Sequence, residues 1–225
     1  MNFTRSLPLI GEDGLARLAA CRVTVVGLGG VGGYVVEVLA RSGVGALTLI
    51  DGDKVEESNL NRQIAALRKD IGRYKAEVLA ERVEQINPHC KVNAVCEMLT
   101  DSNCSALVDG SSYVADAIDS LAAKAALAVY CTGKGLPIVS AMGAGNRAGW
   151  CDFRVADIYK TDYDPLAKKF RKMMKERGVR KLDVCFTQTP PVQTGGTVAS
   201  MPFAPAACGV RMGAYIVERL LGKRD

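Results

Sequence analysis

The chain has 225 residues, 48% of them hydrophobic and 24% charged, and a formal net charge of +5. That length and balance suit one globular α/β domain with a real core, and the mild positive charge is compatible with a nucleic-acid partner without demanding one. Eight cysteines, at 21, 90, 96, 104, 131, 151, 185 and 208, form no Cys-x-x-Cys pair, which excludes a zinc ribbon and a thioredoxin-like redox motif.

Taken in chain order, residues 1–10 lack the long apolar core of a secretory signal. Short β-branched runs then alternate with longer helical ones, as in parallel strands joined by crossover helices. The pattern predicts strands at 23–26, 47–50, 92–96, 113–116 and 138–141, and helices at 31–42, 74–86, 101–108 and 121–132. Asn87-Pro88 ends the second helix, and Gly133 and Gly135 close the fourth. After Gly143 the texture changes. Residues 150–155 suggest a strand leaving the first half, 164–177 a basic helix, 187–205 a Pro/Thr/Gly-rich functional loop, and the C-terminus a final helix. Arg211, Glu218 and Arg219 interrupt the apolar stretch 203–221, so it reads as an amphipathic helix and not a membrane span. A reducing cytoplasm fits these features, with Cys96, Cys131 and Cys208 expected as buried thiols.

Two phosphate-handling signatures lie in tandem. In the first, Gly27 makes the turn after the opening strand, Gly29 lets the backbone approach phosphates, and Gly32 allows close helix–strand packing. The following helix aims its N-terminal N–H groups at an anion. Asp51 follows the second strand, where such folds place a carboxylate on ribose hydroxyls. So far an NAD-dependent dehydrogenase stays open. The second signature, Asp51-Gly-Asp53-Lys-Val-Glu-Glu-Ser58-Asn59-Leu-Asn61-Arg62-Gln63, moves the reading toward ATP held for chemistry at a phosphate. Asn59, Arg62 and Lys75 are the groups that neutralise a triphosphate during in-line attack. Asp116 and Asp119 flank the end of a strand at the carboxyl edge of the sheet, where a carboxylate can hold Mg²⁺. The lone histidine, His89, reads as an exposed turn residue, which disfavours histidine-based metal sites and triads.

Gly27-x-Gly-Gly-x-Gly, Asp51-x-Asp53, Ser58-Asn59-x-x-Arg62-Gln63, Lys75 and Asp116-Ala-Ile-Asp119 together resemble the ubiquitin-activating-type adenylating family (ThiF/MoeB/HesA) over nearly the whole chain. The resemblance implies a Rossmann-like, mostly parallel α/β fold, a single 1–225 domain with a nucleotide-binding half (1–142) and a substrate and dimer half (143–225). It implies ATP and Mg²⁺ held by Gly27, Gly29, Gly30, Gly32, Asp51, Asp53, Asn59, Arg62 and Lys75, with Asp51 on the ribose and Asp119 on the metal. Arg5 matches a family arginine that reaches the triphosphate from the second subunit of a homodimer, so Arg5, Arg62, Lys75 and Asp119 form the expected catalytic set.

Within the family, residues 5–11, 40–45, 85–88, 116–120 and 157–165 resemble the TcdA (CsdL) subgroup, the tRNA threonylcarbamoyladenosine dehydratases. Absence of the zinc cysteines usual in ThiF and MoeB agrees with that subgroup. The implied reaction activates the threonyl carboxylate as an acyl-adenylate; a neighbouring substrate atom then closes a ring and expels AMP. The alternative is adenylation of the C-terminal glycine of a ubiquitin-like sulfur carrier. A non-catalytic nucleotide-binding scaffold would be expected to lose some of Arg62, Lys75 and Asp119, and all three are present. The basic run Lys168, Lys169, Arg171, Lys172, Lys175 and Arg177 is a candidate tRNA-backbone contact, with a solvated helix face as the other reading. Cys185, where some relatives carry a reactive cysteine, reads as a structural thiol between Val184 and Phe186. Gene names of some relatives add a cysteine-desulfurase system as a sulfur-acceptor partner.

Overall fold

A single seven-stranded sheet runs through the chain, in the order β3-β2-β1-β4-β5-β7-β6. The structure, a computed structural model, describes residues 3–196 and 198–222. In chain order the elements are α1 (Leu7–Ala20), β1 (Arg22–Val26), α2 (Gly32–Ser42), β2 (Ala46–Ile50), α3 (Lys75–Ile86), β3 (Lys91–Val95), α4 (Cys104–Val108), β4 (Tyr113–Asp116), α5 (Leu121–Lys134), β5 (Ile138–Ala141), β6 (Phe153–Asp157), α6 (Pro165–Glu176), β7 (Asp183–Thr187) and α7 (Phe203–Leu220). All pairings are parallel except β6 with β7.

The apolar runs of β1, β2, β4 and β5 become the centre of this sheet because both of its faces are covered, the situation in which parallel strands read as continuous apolar stretches. Leu39 of α2, Leu79 of α3 and Met212 of α7 belong to the core on one face. Val108 of α4, Leu127 of α5 and Phe170 of α6 belong to the core on the other. Small residues let α7 approach α2 closely: a Cβ on Gly209 would sit 2.3 Å from the Val31 carbonyl oxygen. Among the described residues no helix is long and apolar enough to cross a membrane.

The five strands and four helices expected in the first half are present; strands 113–116 and 138–141 match at both ends, and the other ends agree to within three residues. The fourth crossover helix runs through Gly133 to Lys134, and Gly135 alone ends it in the left-handed region at φ 66. Three features differ from the reading of the sequence. Helix α1 was not expected; its pattern is broken at Gly11, where φ is 69 and the helix kinks. Strand β7 was not expected either. Its five residues are too short a run to distinguish from a buried helical turn by periodicity. Strand β6 does not leave the first half's sheet but pairs antiparallel at its edge. Of the thiols expected to be buried, Cys131 and Cys208 are, whereas Cys96 at the end of the edge strand β3 is half-buried. Cys185 lies fully buried in β7 with its sulfur 3.8 Å from that of Cys208.

Candidate active site

The sheet order reverses between β1 and β4, and a cleft of about 840 Å³ opens there at the carboxyl ends of the strands. Its floor is the turn after β1. Gly27 takes φ 85, and a Cβ on it would lie 2.6 Å from the Ala117 carbonyl oxygen. A Cβ on Gly32 would come within 1.8 Å of the Gly27 carbonyl oxygen, so the N-terminus of α2 can sit this close to the turn only as glycine. Gly29 and Gly30 line the cleft between them.

Asp51, at the end of β2, locks this loop to the second signature. It accepts the Leu28 N–H at 2.6 Å on one oxygen and the Asp53 N–H at 2.8 Å on the other. Burial pushes its carboxyl above the ordinary value, against the pull of those two N–H groups and of Lys75. Asn59 is buried and closes a short 3₁₀ turn by accepting the Glu56 N–H at 3.1 Å. The turn aims Arg62 across the glycine loop; its guanidinium donates to the Ser58 carbonyl at 2.8 Å and to Asn61 Oδ1 at 2.9 Å. Among the described residues it forms no ion pair, so its charge is left to the cleft. Lys75, 5% exposed at the start of α3, extends its ammonium to Asp53 Oδ2 at 2.8 Å.

A glycine loop on a helix N-terminus, a buried acid after β2, and two cations converging from the next turn and helix form one continuous wall. The ThiF family model matches residues 3–225. The chain belongs to the ThiF family. It is 44% identical over 204 residues to the tRNA threonylcarbamoyladenosine dehydratase of Escherichia coli, covering 86% of this chain and 76% of that one. It is 36% identical over 239 residues to the enzyme of the same name from Bacillus subtilis, covering 97% and 94%. Among solved structures, the Escherichia coli dehydratase TcdA in complex with ATP superposes with a TM-score of 0.93 at 40% identity, covering 98% and 94%.

In this ThiF-family chain the two acids at and after the end of β4 part company. Asp116 is fully buried; one of its oxygens accepts the Lys124 ammonium at 2.9 Å and the Ile118 N–H at 3.1 Å. Lys124 is itself 0% exposed. Asp119, by contrast, is exposed and lines the cleft. Arg5 is exposed on the turn before α1 and is not among the residues that line the cleft. His89 is exposed in the turn after α3, where its N–H donates to Asn87 Oδ1.

The second signature contained Gln63 without giving it a role, and the contacts that build the rest of the cleft wall were not expected. Gln63 is 8% exposed beside Gly29, and its Oε1 is buried without a hydrogen-bond partner among the described residues. A further part of the cleft wall comes from Ala144, Gly145, Val198, Ser200 and Pro205, the last packed against Gly30. Asn146, at φ 57, clamps that wall: its N–H donates to the Ala199 carbonyl at 2.7 Å and its Oδ1 accepts the Ala199 N–H at 2.6 Å. Asn61 Nδ2 adds a bond to the Ser200 carbonyl at 3.0 Å, joining this loop to the Arg62 turn. Of the loop expected at 187–205, Thr187 belongs to β7 and residues 203–205 to α7, while Val198 and Ser200 between them line the cleft; its composition suggested that role but not its partners, Asn61 and Asn146.

Proposed function

We propose that this protein is an ATP-dependent tRNA threonylcarbamoyladenosine dehydratase that activates the threonyl carboxylate of its substrate for ring closure. The observation that carries the reading is Arg62, a cation without a carboxylate partner among the described residues, facing a glycine loop in a chain that superposes on a dehydratase–ATP complex. The cleft suits ATP: the loop offers backbone N–H groups at a helix N-terminus, and Asp51 lies where a ribose would sit.

The threonyl carboxylate is a poor electrophile because its leaving group would be oxide. One carboxylate oxygen attacks the α-phosphorus of ATP; the new O–P bond forms as the bond to pyrophosphate breaks. Arg62 and Lys75 stabilise the charge that spreads over the phosphate oxygens, and Asn59 fixes the turn that holds Arg62. Asp53 holds Lys75 in place until the triphosphate takes over the ammonium. A neighbouring atom of the substrate then attacks the activated carbonyl carbon and AMP departs with the former carboxylate oxygen. The nucleoside is thereby lighter by the elements of water, its oxygen leaving in AMP and the attacking atom's hydrogen leaving as a proton to solvent. Both reacting atoms belong to one substrate, so proximity supplies much of the rate and no protein nucleophile is needed. Asp119 would hold Mg²⁺, which accepts one or two carboxylates together with phosphate oxygens and would neutralise part of the triphosphate charge. Residues 143–225 would supply the substrate face, since Gly145, Val198 and Ser200 line the cleft beside the nucleotide-binding residues. Arg5, outside the cleft of its own chain, would enter the site of a second copy in a homodimer.

Nucleotide products test the reading. Incubated with ATP, Mg²⁺ and tRNA carrying threonylcarbamoyladenosine, the protein should release AMP and pyrophosphate only when that nucleoside is present. Release driven instead by a carrier protein ending in Gly-Gly would replace it with the sulfur-carrier reading.

A further inference from the structure

The segment between β6 and α6, Asp157-Ile-Tyr-Lys-Thr-Asp-Tyr-Asp-Pro165, is held at almost every polar side chain. Asp157 accepts the Tyr159 N–H at 3.1 Å, and Tyr159 donates its hydroxyl to the Val179 carbonyl. Thr161 Oγ1 donates to the Ile158 carbonyl at 2.7 Å, while Arg171 reaches back to the Thr161 carbonyl at 2.7 Å. Asp162 accepts both contacts from Gln188 Nε2, at 2.8 and 2.7 Å. Asp164 caps α6 by accepting the Leu166 and Ala167 N–H groups, and also accepts the Gly143 N–H at 2.9 Å.

Tyr163, with the exposed Lys160, is the exception. Its backbone is left-handed, at φ 52, a conformation unfavourable for a bulky side chain, and its ring is 69% exposed. Among the described residues its hydroxyl makes no hydrogen bond. A large ring held outward on a strained residue, between two carboxylates that are both tied down, points to a contact made outside the chain. The position fits a substrate of the cleft. Asp164, the next residue, binds Gly143, and Ala144 and Gly145 line the cleft wall. On its other side α6 continues for 12 residues, about 18 Å, with Lys168, Lys169, Lys172 and Lys175 exposed along it. Glu176 pairs loosely with Lys172 at 3.8 Å, and Lys160, Arg177 and Arg180 add further exposed cations.

We infer that Tyr163 and the basic face of α6 form the docking surface for the unpaired loop of the RNA substrate: the ring stacks on a loop base flanking the reacting nucleoside, and the lysines follow the phosphate backbone. Charge complementarity and continuity with the cleft select RNA as the occupant. This inference rests on the proposed function.

The test compares steady-state conversion of the modified tRNA by the full-length protein and its variants. Tyr163→Asn removes the ring and leaves a residue that tolerates the left-handed backbone, so the fold is kept. It should raise KM for the tRNA by about tenfold, the scale of one lost base stack, without weakening ATP binding. Tyr163→Phe should keep the wild-type KM. Replacing Lys168, Lys172 and Lys175 with Gln should flatten the salt dependence of tRNA affinity by a slope of about 2. A wild-type KM in Tyr163→Asn, an equal defect in Tyr163→Phe, or lost ATP binding would each overturn the inference while leaving the proposed function standing. If the wild-type protein converts no tRNA, the proposed function fails and the docking surface falls with it.

Discussion

The ammonium of Lys75 lies 2.8 Å from the carboxylate of Asp53, with the lysine side chain 7% exposed and the aspartate 52%. The cation is thus held by a partner that solvent, or a triphosphate, can relieve. Lys75→Ala should lower kcat for tRNA dehydration by about 10²- to 10³-fold, the scale of one lost charge-stabilising donor. Asp53→Asn releases the ammonium without removing it and should cost far less. Steady-state rates at saturating ATP decide the matter; near-wild-type kcat in Lys75→Ala would remove this lysine from the chemistry.

Beneath the cleft, Lys124 and Asp116 form an ion pair that is 0% exposed on both sides. Lys124→Met leaves a buried carboxylate without its partner, which costs about 3–5 kcal/mol. Adding Asp116→Asn removes the stranded charge and should restore much of that loss. Urea unfolding of the two variants checks this. Equal stability of single and double variants would mean that the charge is solvated by another route.

The contrast between these two pairs explains how much could be read from the sequence. Gly27 to Lys75 is local: the loop, Asp51 and the Arg62 turn follow one another along the chain, so their chemistry survives without a structure. Lys124 gave no such signal. It sits in the first turn of an alanine-rich helix, only eight residues after Asp116, and matches no ligand-binding pattern that would mark it. Strand β7 was hidden for a different reason, because Asp183–Thr187 becomes a strand by lying between β5 and β6, two neighbours distant in sequence. The Asn146 clamp likewise depends on meeting Ala199, 53 residues away.

Acid should loosen the α2–α3 contact. Glu37 of α2 accepts Arg82 Nε of α3 at 2.7 Å and Arg41 Nε at 2.7 Å. Burial pushes its carboxyl up, but these hydrogen bonds outweigh burial and hold it below its ordinary value. With the folded group the stronger acid, the unfolded chain binds more protons between the two pKa values. Stability is therefore present above the ordinary carboxylate range and lost as pH falls through the lowered value. Glu37→Gln should cost about 1 kcal/mol at neutral pH, a modest figure because both arginines are partly exposed and screened. The deficit should shrink as the pH drops below the ordinary carboxylate pKa of about 4.3. Denaturant unfolding across that range shows it; a constant deficit would contradict the assignment.

The proposed sharing of sites between two copies of the chain is testable by mixing. Arg5→Ala and Arg62→Ala should each be inactive alone. A mixed dimer restores one complete site, in which Arg62 of one copy meets the arginine of the other, so refolding the two variants together should recover activity. No recovery from demonstrated mixed dimers would place Arg5 outside the reaction.

The most direct measurement is mass spectrometry of the nucleosides after the protein has acted on tRNA carrying threonylcarbamoyladenosine with ATP and Mg²⁺. The account predicts a nucleoside lighter by one water, absent without ATP and lost in Arg62→Ala and Asp119→Ala. An unchanged nucleoside under the same conditions, from protein that still binds ATP, would contradict it.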